Sequence, residues 1–557
     1  MVPSIFKWLV CAAGFGLLNG LAAAPAAAQG TVRRHLVYFR DKAGTPYSVA
    51  QPEAFLSARA VARRTRQGIA ILPRDLPVSP AYVAQLRAVS GRPQVLYTSR
   101  WFNAALVSCD SATLARISVL PVVRGAATLN RSFVPPRPFV APVQVPADLA
   151  RTTAATRSEY GLAYRQNQQI GALAMHDAGF RGEGMQIAVL DAGFPGVNQI
   201  PALQSLFKEN RLLGTRNFVD GGTSVFTRSS HGTNCLSAIG GNLSGFYIGS
   251  APKATFHLCI TEDVASEHPV EEANWLAAAE YADSAGVDVI SSSLGYTTFD
   301  APSKSYTYAD MNGRTSISSR AATVAARVGM LVVNAAGNEG NDPWHYISAP
   351  ADADSIISVG AVDSLGNHAY FSSYGPTADG RIKPTLSAMG LAAAVLSPSG
   401  TAFRGSGTSY ACPILAGMAA GFWQANPTLT AQQVIVALRN SATLANAPNN
   451  ILGYGIPDFT RAQAALNLGA ATSAAALMVY PNPTGNGLVT LVLPEALRGQ
   501  PLLVRVVDSR GAVVVQQQLP AATATEVPLQ LGRIAPGVYT CQVSTANTRR
   551  SVKFVQQ

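Results

Sequence analysis

Cysteine is scarce in this chain, six in 557 residues, and no two form a Cys-x-x-Cys pair. That excludes a disulfide scaffold and the common zinc ribbons. Charge is thin too. Only 13% of residues are charged against 48% hydrophobic, the balance of a globular, alanine-rich protein. Behind the leader no apolar run is long enough to span a bilayer. Acidic residues are nearly missing from the front: residues 1–157 hold 5 Asp and Glu against 19 Lys and Arg, and the rest of the chain holds 26 against 23. The formal net charge of +11 thus belongs to one segment, and the mildly acidic body gives no reason to expect a nucleic-acid partner. No cluster of His, Cys and carboxylates has metal-ligand spacing, so no metal is assigned.

What is present is organised around Gly405-Ser406-Gly407-Thr408-Ser409-Tyr410-Ala411-Cys412-Pro413. Small residues crowd ahead of one serine, and a helix pattern runs on behind it. Glycines there let another backbone approach, and a helix N-terminus aims free N–H groups at an anion. A hydroxyl so placed attacks a carbonyl if a base is at hand. The apolar stretch Ala188-Val189-Leu190 ends in Asp191, followed by Ala192-Gly193, and His231 opens a helix within Ser229-Ser230-His231-Gly232-Thr233. A fourth stretch, Val332-Val333-Asn334-Ala335-Ala336-Gly337-Asn338, ends a strand with an amide. Any one of these alone reads as a cap, turn or loop. All four, with the order Asp, His, Ser, are far more specific. Together they resemble the subtilisin-like serine proteases, through Asp-x-Gly, His-Gly-Thr, Ala-Ala-Gly-Asn and Gly-Thr-Ser-x-Ala motifs over about residues 160–468.

The resemblance implies a role for each residue. Ser409 is the nucleophile, His231 the general base and Asp191 its orienting partner, with the Asn338 side chain and the Ser409 N–H as oxyanion donors. Ser293-Leu294-Gly295 resembles the family's substrate-pairing edge. Ser293 to Gly295 and Ala335 to Gly337, Ala336 among them, wall the primary pocket with Ser348 near its floor, and these small neutral residues lead us to expect medium to large apolar side chains there rather than Lys or Arg. Two departures stand out: Tyr410 follows the nucleophile where the family usually has Met, and Ala192 follows Asp191 where Ser or Thr is common. Neither removes a catalytic atom. The family often carries structural calcium; Asp352, Asp354 and Asp363 are scattered and no ligand set is assigned. Cys235, one helical turn past His231, reads as a buried thiol beneath it, while Cys259, Cys412 and Cys541 pair only if the fold brings them together. Glu262, Asp263, Glu267, Glu271 and Glu272 read as a solvated acidic face, and His257, His268, His345 and His368 as surface histidines.

In order, residues 1–28 read as a secretory signal peptide, with Lys7, an apolar stretch and Ala26-Ala27-Ala28 before the cut. Residues 29–157 are a small α+β unit with a Pro-rich linker (Phe133 to Pro146), resembling the family's inhibitory prosegment. Residues 158–468 alternate apolar strands and helices, an α/β pattern of a mostly parallel sheet with helices on both faces. One helix is expected from Gln168 to Ala178. Residues 469–477 are an Ala-rich linker, and residues 478–557 a small β-sandwich. The Tyr480-Pro481-Asn482-Pro483 opening and Gly537-Val538-Tyr539 resemble the sorting domains of type IX secretion cargo. The expected partners are therefore protein or peptide substrates, the chain's own prosegment and the type IX machinery, with no cofactor. A catalytically silent surface or adhesion protein on the same fold is the competing reading. An α/β-hydrolase esterase is disfavoured, since Ser409 sits in Gly-Thr-Ser-Tyr-Ala rather than a Gly-x-Ser-x-Gly elbow.

Overall fold

The computed structural model describes residues 31–130, 158–474, 477–485, 487–521, 524–546 and 548–557. The signal peptide, Cys11, the Pro-rich linker and the expected maturation cuts beyond Asn130 lie outside these. Seven parallel strands form the central sheet, in the spatial order 386–389, 357–362, 331–335, 289–292, 186–191, 255–260 and 212–217. Successive side chains of a strand face opposite ways, and the strand Gln186–Asp191 shows the consequence. Ile187 and Val189 enter one core with the helices His231–Gly240 and Thr408–Ala425. Ala188 and Leu190 enter the other, under the helices Val270–Ala285 and Ile317–Arg327. A sheet covered on both faces leaves only its strand ends open, and there a site has room.

The expected helix from Gln168 to Ala178 is two, Tyr164–Gln169 and Ala172–Asp177. Gly171 stands between them with φ of 72°, a left-handed turn that an L side chain rarely adopts. The helix Phe459–Ala474 continues through residues 469–474, expected as linker. Its alanine content, taken for low complexity, is also the composition of a good helix. Beyond it, two antiparallel sheets of three and four strands close on one core containing Val489, Leu491, Val504, Cys541 and Phe554. The strand Glu526–Gln530 escaped the sequence reading because Pro528 interrupts it, and it lies at a sheet edge, where proline is tolerated. The five described cysteines are free and buried. Among the described residues no helix is long and apolar enough to cross a membrane.

The front unit is a four-stranded antiparallel sheet, in the order 94–99, 104–109, 33–39 and 123–128. It packs on the helix Val270–Ala285, where Leu36, Ala104, Leu106 and Leu129 meet Val270 and Ala273. Its surplus of arginine is used at the far end of that helix. Asp283, fully buried, takes Arg63, Arg64 (2.7 Å) and Arg100 (2.6 Å) at once, and Glu280 accepts the Arg100 (2.8 Å) and Trp101 (3.1 Å) amides. Burial alone would raise the Asp283 carboxyl, but the guanidiniums of Arg63, Arg100 and Arg64 hold it below its ordinary value. Its contribution is therefore complete above about pH 4 and fades only as pH falls further. Asp283→Asn in the full chain should lower the stability seen in urea unfolding at pH 7 by about 3–5 kcal/mol, since it strands buried guanidiniums. A loss below about 1 kcal/mol, the value of a surface pair, would show that the front unit is not held this way.

Candidate active site

Asp191 is the last residue of its strand and fully buried. Its Oδ1 accepts the Ala192 N–H (2.7 Å) and the Nδ1–H of His231 (2.8 Å). A carboxylate only accepts, so the bond fixes the proton on Nδ1 and leaves Nε2 as the basic nitrogen. His231 opens its helix with its side chain 29% exposed. The glycine after it is a steric requirement: a Cβ on Gly232 would lie 2.4 Å from Gly193 O and 2.9 Å from Asp191 Cβ. Burial by itself would lower the His231 pKa, but the Asp191 carboxylate outweighs it and the net is well above 6.5. Burial also pushes the Cys235 thiol up.

Ser409 is the second residue of the helix Thr408–Ala425, where N–H groups have no helical acceptor. Proline stands four positions on, inside the helix, so the Ser409 carbonyl also lacks its helical donor. Ser293 Oγ (2.8 Å) and Cys235 Sγ (3.3 Å) donate to it instead, while Ser409 Oγ reaches the Ser293 carbonyl at 3.4 Å. Asn338 is exposed, and its Oδ1 accepts from Thr408 N (2.8 Å) and Oγ1 (3.0 Å). That leaves its NH2 as a free donor beside the serine. Thr408's part in holding Asn338 was not read from the sequence. Tyr410 packs its ring 6.1 Å from that of His231.

The expected primary pocket is bordered by glycines. Cβ atoms built on Gly295 and Gly337 would come within 2.2 and 3.1 Å of Ser348 Oγ, a buried hydroxyl without a partner among the described residues. Glu339 Oε2 lies 2.4 Å from the Gly337 Cβ position and accepts from Ser373 Oγ (2.7 Å). The solvated acidic face is corrected. Glu262, Asp263, Glu271 and Glu272 are buried, and only Glu267 of that group is partly exposed. His257 and His268 are also buried, against Tyr281 and Ser303. Among the described residues, Asp191, His231 and Cys235 are the one group of such side chains close enough to share a metal, and Asp191 already binds the His231 proton. Asp352 accepts from Gly313 N and Ser319 Oγ, and Asp363 from three donors of residues 365–367.

Comparison with known proteins agrees with this geometry. Residues 182–455 match the model of the Subtilase family. Subtilisin NAT of Bacillus subtilis subsp. natto is 32% identical over 279 residues, 49% of this chain and 65% of its own length. Subtilisin of Bacillus pumilus is 32% identical over the same span, 90% of its length. The chain belongs to the subtilase family. It covers less than two thirds of the length of subtilisin NAT. The solved structure of MycP1 with its N-terminal propeptide removed is 23% identical, covering 54% of this subtilase and 96% of that chain with a TM-score of 0.43. Residues 34–137 match a Peptidase S8 propeptide domain of Bacteroidota, and residues 478–557 a secretion system C-terminal sorting domain. This subtilase is thus built for export to the cell surface or beyond.

Gly232→Ala tests the site's packing. The added methyl has no room, so urea unfolding should show a loss of about 1–3 kcal/mol. An unchanged midpoint would mean that the Asp191 and His231 elements are farther apart than described here.

Proposed function

We propose that the chain is the precursor of an exported serine endopeptidase, with residues 29–157 removed on maturation and residues 478–557 as its export address. Ser409 Oγ attacks the substrate carbonyl and passes its proton to His231 Nε2 as the C–O bond forms. The tetrahedral oxyanion takes hydrogen bonds from the Asn338 NH2 and the Ser409 N–H. On collapse the C–N bond breaks, His231 returns the proton to the leaving amine, and water repeats the sequence on the acyl-enzyme. Every proton is accounted for within the triad, with no cofactor in the cycle. The observation that carries this reading is the Asp191 Oδ1 to His231 Nδ1 bond of 2.8 Å, made where the serine helix begins. The front unit, anchored through Asp283, acts as the intramolecular inhibitor, and its connection to the body makes the first cut intramolecular.

A fluorophosphonate probe should label the wild-type protein and not Ser409→Ala. An unlabelled, folded wild type would favour the silent adhesion protein. The Ser409→Ala protein, made in a host without secreted proteases, should keep its prosegment by intact mass; maturation like wild type would make another enzyme the processor. Asn338→Ala should lower kcat about 10²–10³-fold, a figure established on subtilisin itself and carried over here.

The pH profile follows from the sign of the His231 shift. The base works only when neutral, so a raised pKa places the acid limb of kcat/KM above that of an ordinary histidine. Asp191→Asn should move that limb toward lower pH and cut kcat about 10⁴-fold. A limb that stays in place would separate Asp191 from the titration.

A further inference from the structure

Beside His231 opens a cavity of about 300 Å³ whose lining includes Glu262, Glu267 and Glu271 but no Lys or Arg. Asp263 also lines it and is answered by Arg228 at 3.0 Å. Among the described residues no salt bridge answers the other three. Glu271 is held by the Asp263 and His268 amides. Glu262, 92% buried, accepts from Thr261 Oγ1 (2.8 Å) and Tyr296 OH (2.6 Å) through Oε1 alone. Its Oε2 takes no hydrogen bond among the described residues, and neither does the Glu267 side chain, although both residues line the cavity. Burial penalises such charges until a cation or a further donor answers them.

The cavity's position relative to the substrate edge says what would answer these charges. Ser293, Leu294 and Gly295 line it, and the Ser348 pocket touches that edge at Gly295. A peptide extended along the edge sends successive side chains to opposite faces. If the residue giving the scissile carbonyl fills the Ser348 pocket, the residue before it (P2) turns toward His231 and the carboxylates. We propose that this cavity is the P2 subsite and that Glu262 and Glu267 make it select Lys or Arg.

One further observation agrees. Burial pushes the Glu262, Glu267 and Glu271 carboxyls up, and their mutual repulsion adds to it for Glu267 and Glu271. A bound cation relieves both effects.

The inference rests on the peptidase reading, and the test separates the two. Mature protein obtained from the full chain is given four peptides identical except at P2, which is Lys, norleucine, Ala or Glu. Norleucine matches the lysine stem without its charge. We expect kcat/KM for Lys at least tenfold above norleucine, with Glu the poorest. In Glu267→Gln, and in Glu262→Gln where it folds, the Lys to norleucine ratio should fall toward one. A wild-type ratio of one or less, with the peptides cleaved, overturns the P2 assignment and leaves the peptidase standing. Failure to cleave any peptide or to take the fluorophosphonate label overturns both.

Discussion

The site depends on one carbonyl. Pro413 has no N–H to give back to Ser409, so the first turn of the serine helix carries an acceptor that the helix does not satisfy. Left buried and unpaired, such a group costs about 1–3 kcal/mol. Ser293 from the substrate edge and Cys235 from the histidine helix both donate to it. Three segments, far apart in sequence, are thereby brought together at Ser409. Cys235 stands one turn after His231, and Ser293 opens the edge along which a peptide would lie. A proline that looks like a helix breaker is what joins Ser409 to the His231 helix and to Ser293.

The residues legible in the sequence were those whose constraint is local. Asp191 ends an apolar strand, His231 and Ser409 open helices beside glycines, and each position has a short-range reason that a motif preserves. Thr408 was not legible. Its role is to hold Asn338 Oδ1 from 70 residues away, and a threonine at a helix start already has an ordinary explanation as a cap. Glu262 and Glu271 were misread for a related reason. A run of acids is usually solvated, and only the tertiary partners of these, Tyr296 and the amides of residues 263 and 268, allow them inside. The parallel sheet was readable from its unalternated apolar strands. The length of the last helix was not, because alanine serves linkers and helices alike.

Charge segregation along the chain has a structural meaning that composition alone does not give. The basic front and the acidic body meet at a few buried groups rather than as diffuse fields. Arg63, Arg64 and Arg100 converge on one carboxylate, while Arg59 goes to Asp288. Burial makes these contacts less sensitive to salt than surface attraction would be, and it makes them all-or-none.

The helix Val270–Ala285 carries acids at both ends, and the two ends are not equivalent. Glu271 and Glu272 in its first turn sit at the positive end of the helix dipole. Glu280 and Asp283, in the last turns, face the negative end and are buried besides. The dipole therefore opposes their charge where burial already penalises it. Nothing in the helix itself offsets this; the compensation comes from Arg63, Arg64, Arg100 and the Arg100 and Trp101 amides. A chain folding without its front unit would have to form this helix with its C-terminal acids unanswered. With the front unit, the same acids become the anchor that holds it in place. The front unit thus answers the C-terminal acids of the helix on which it packs.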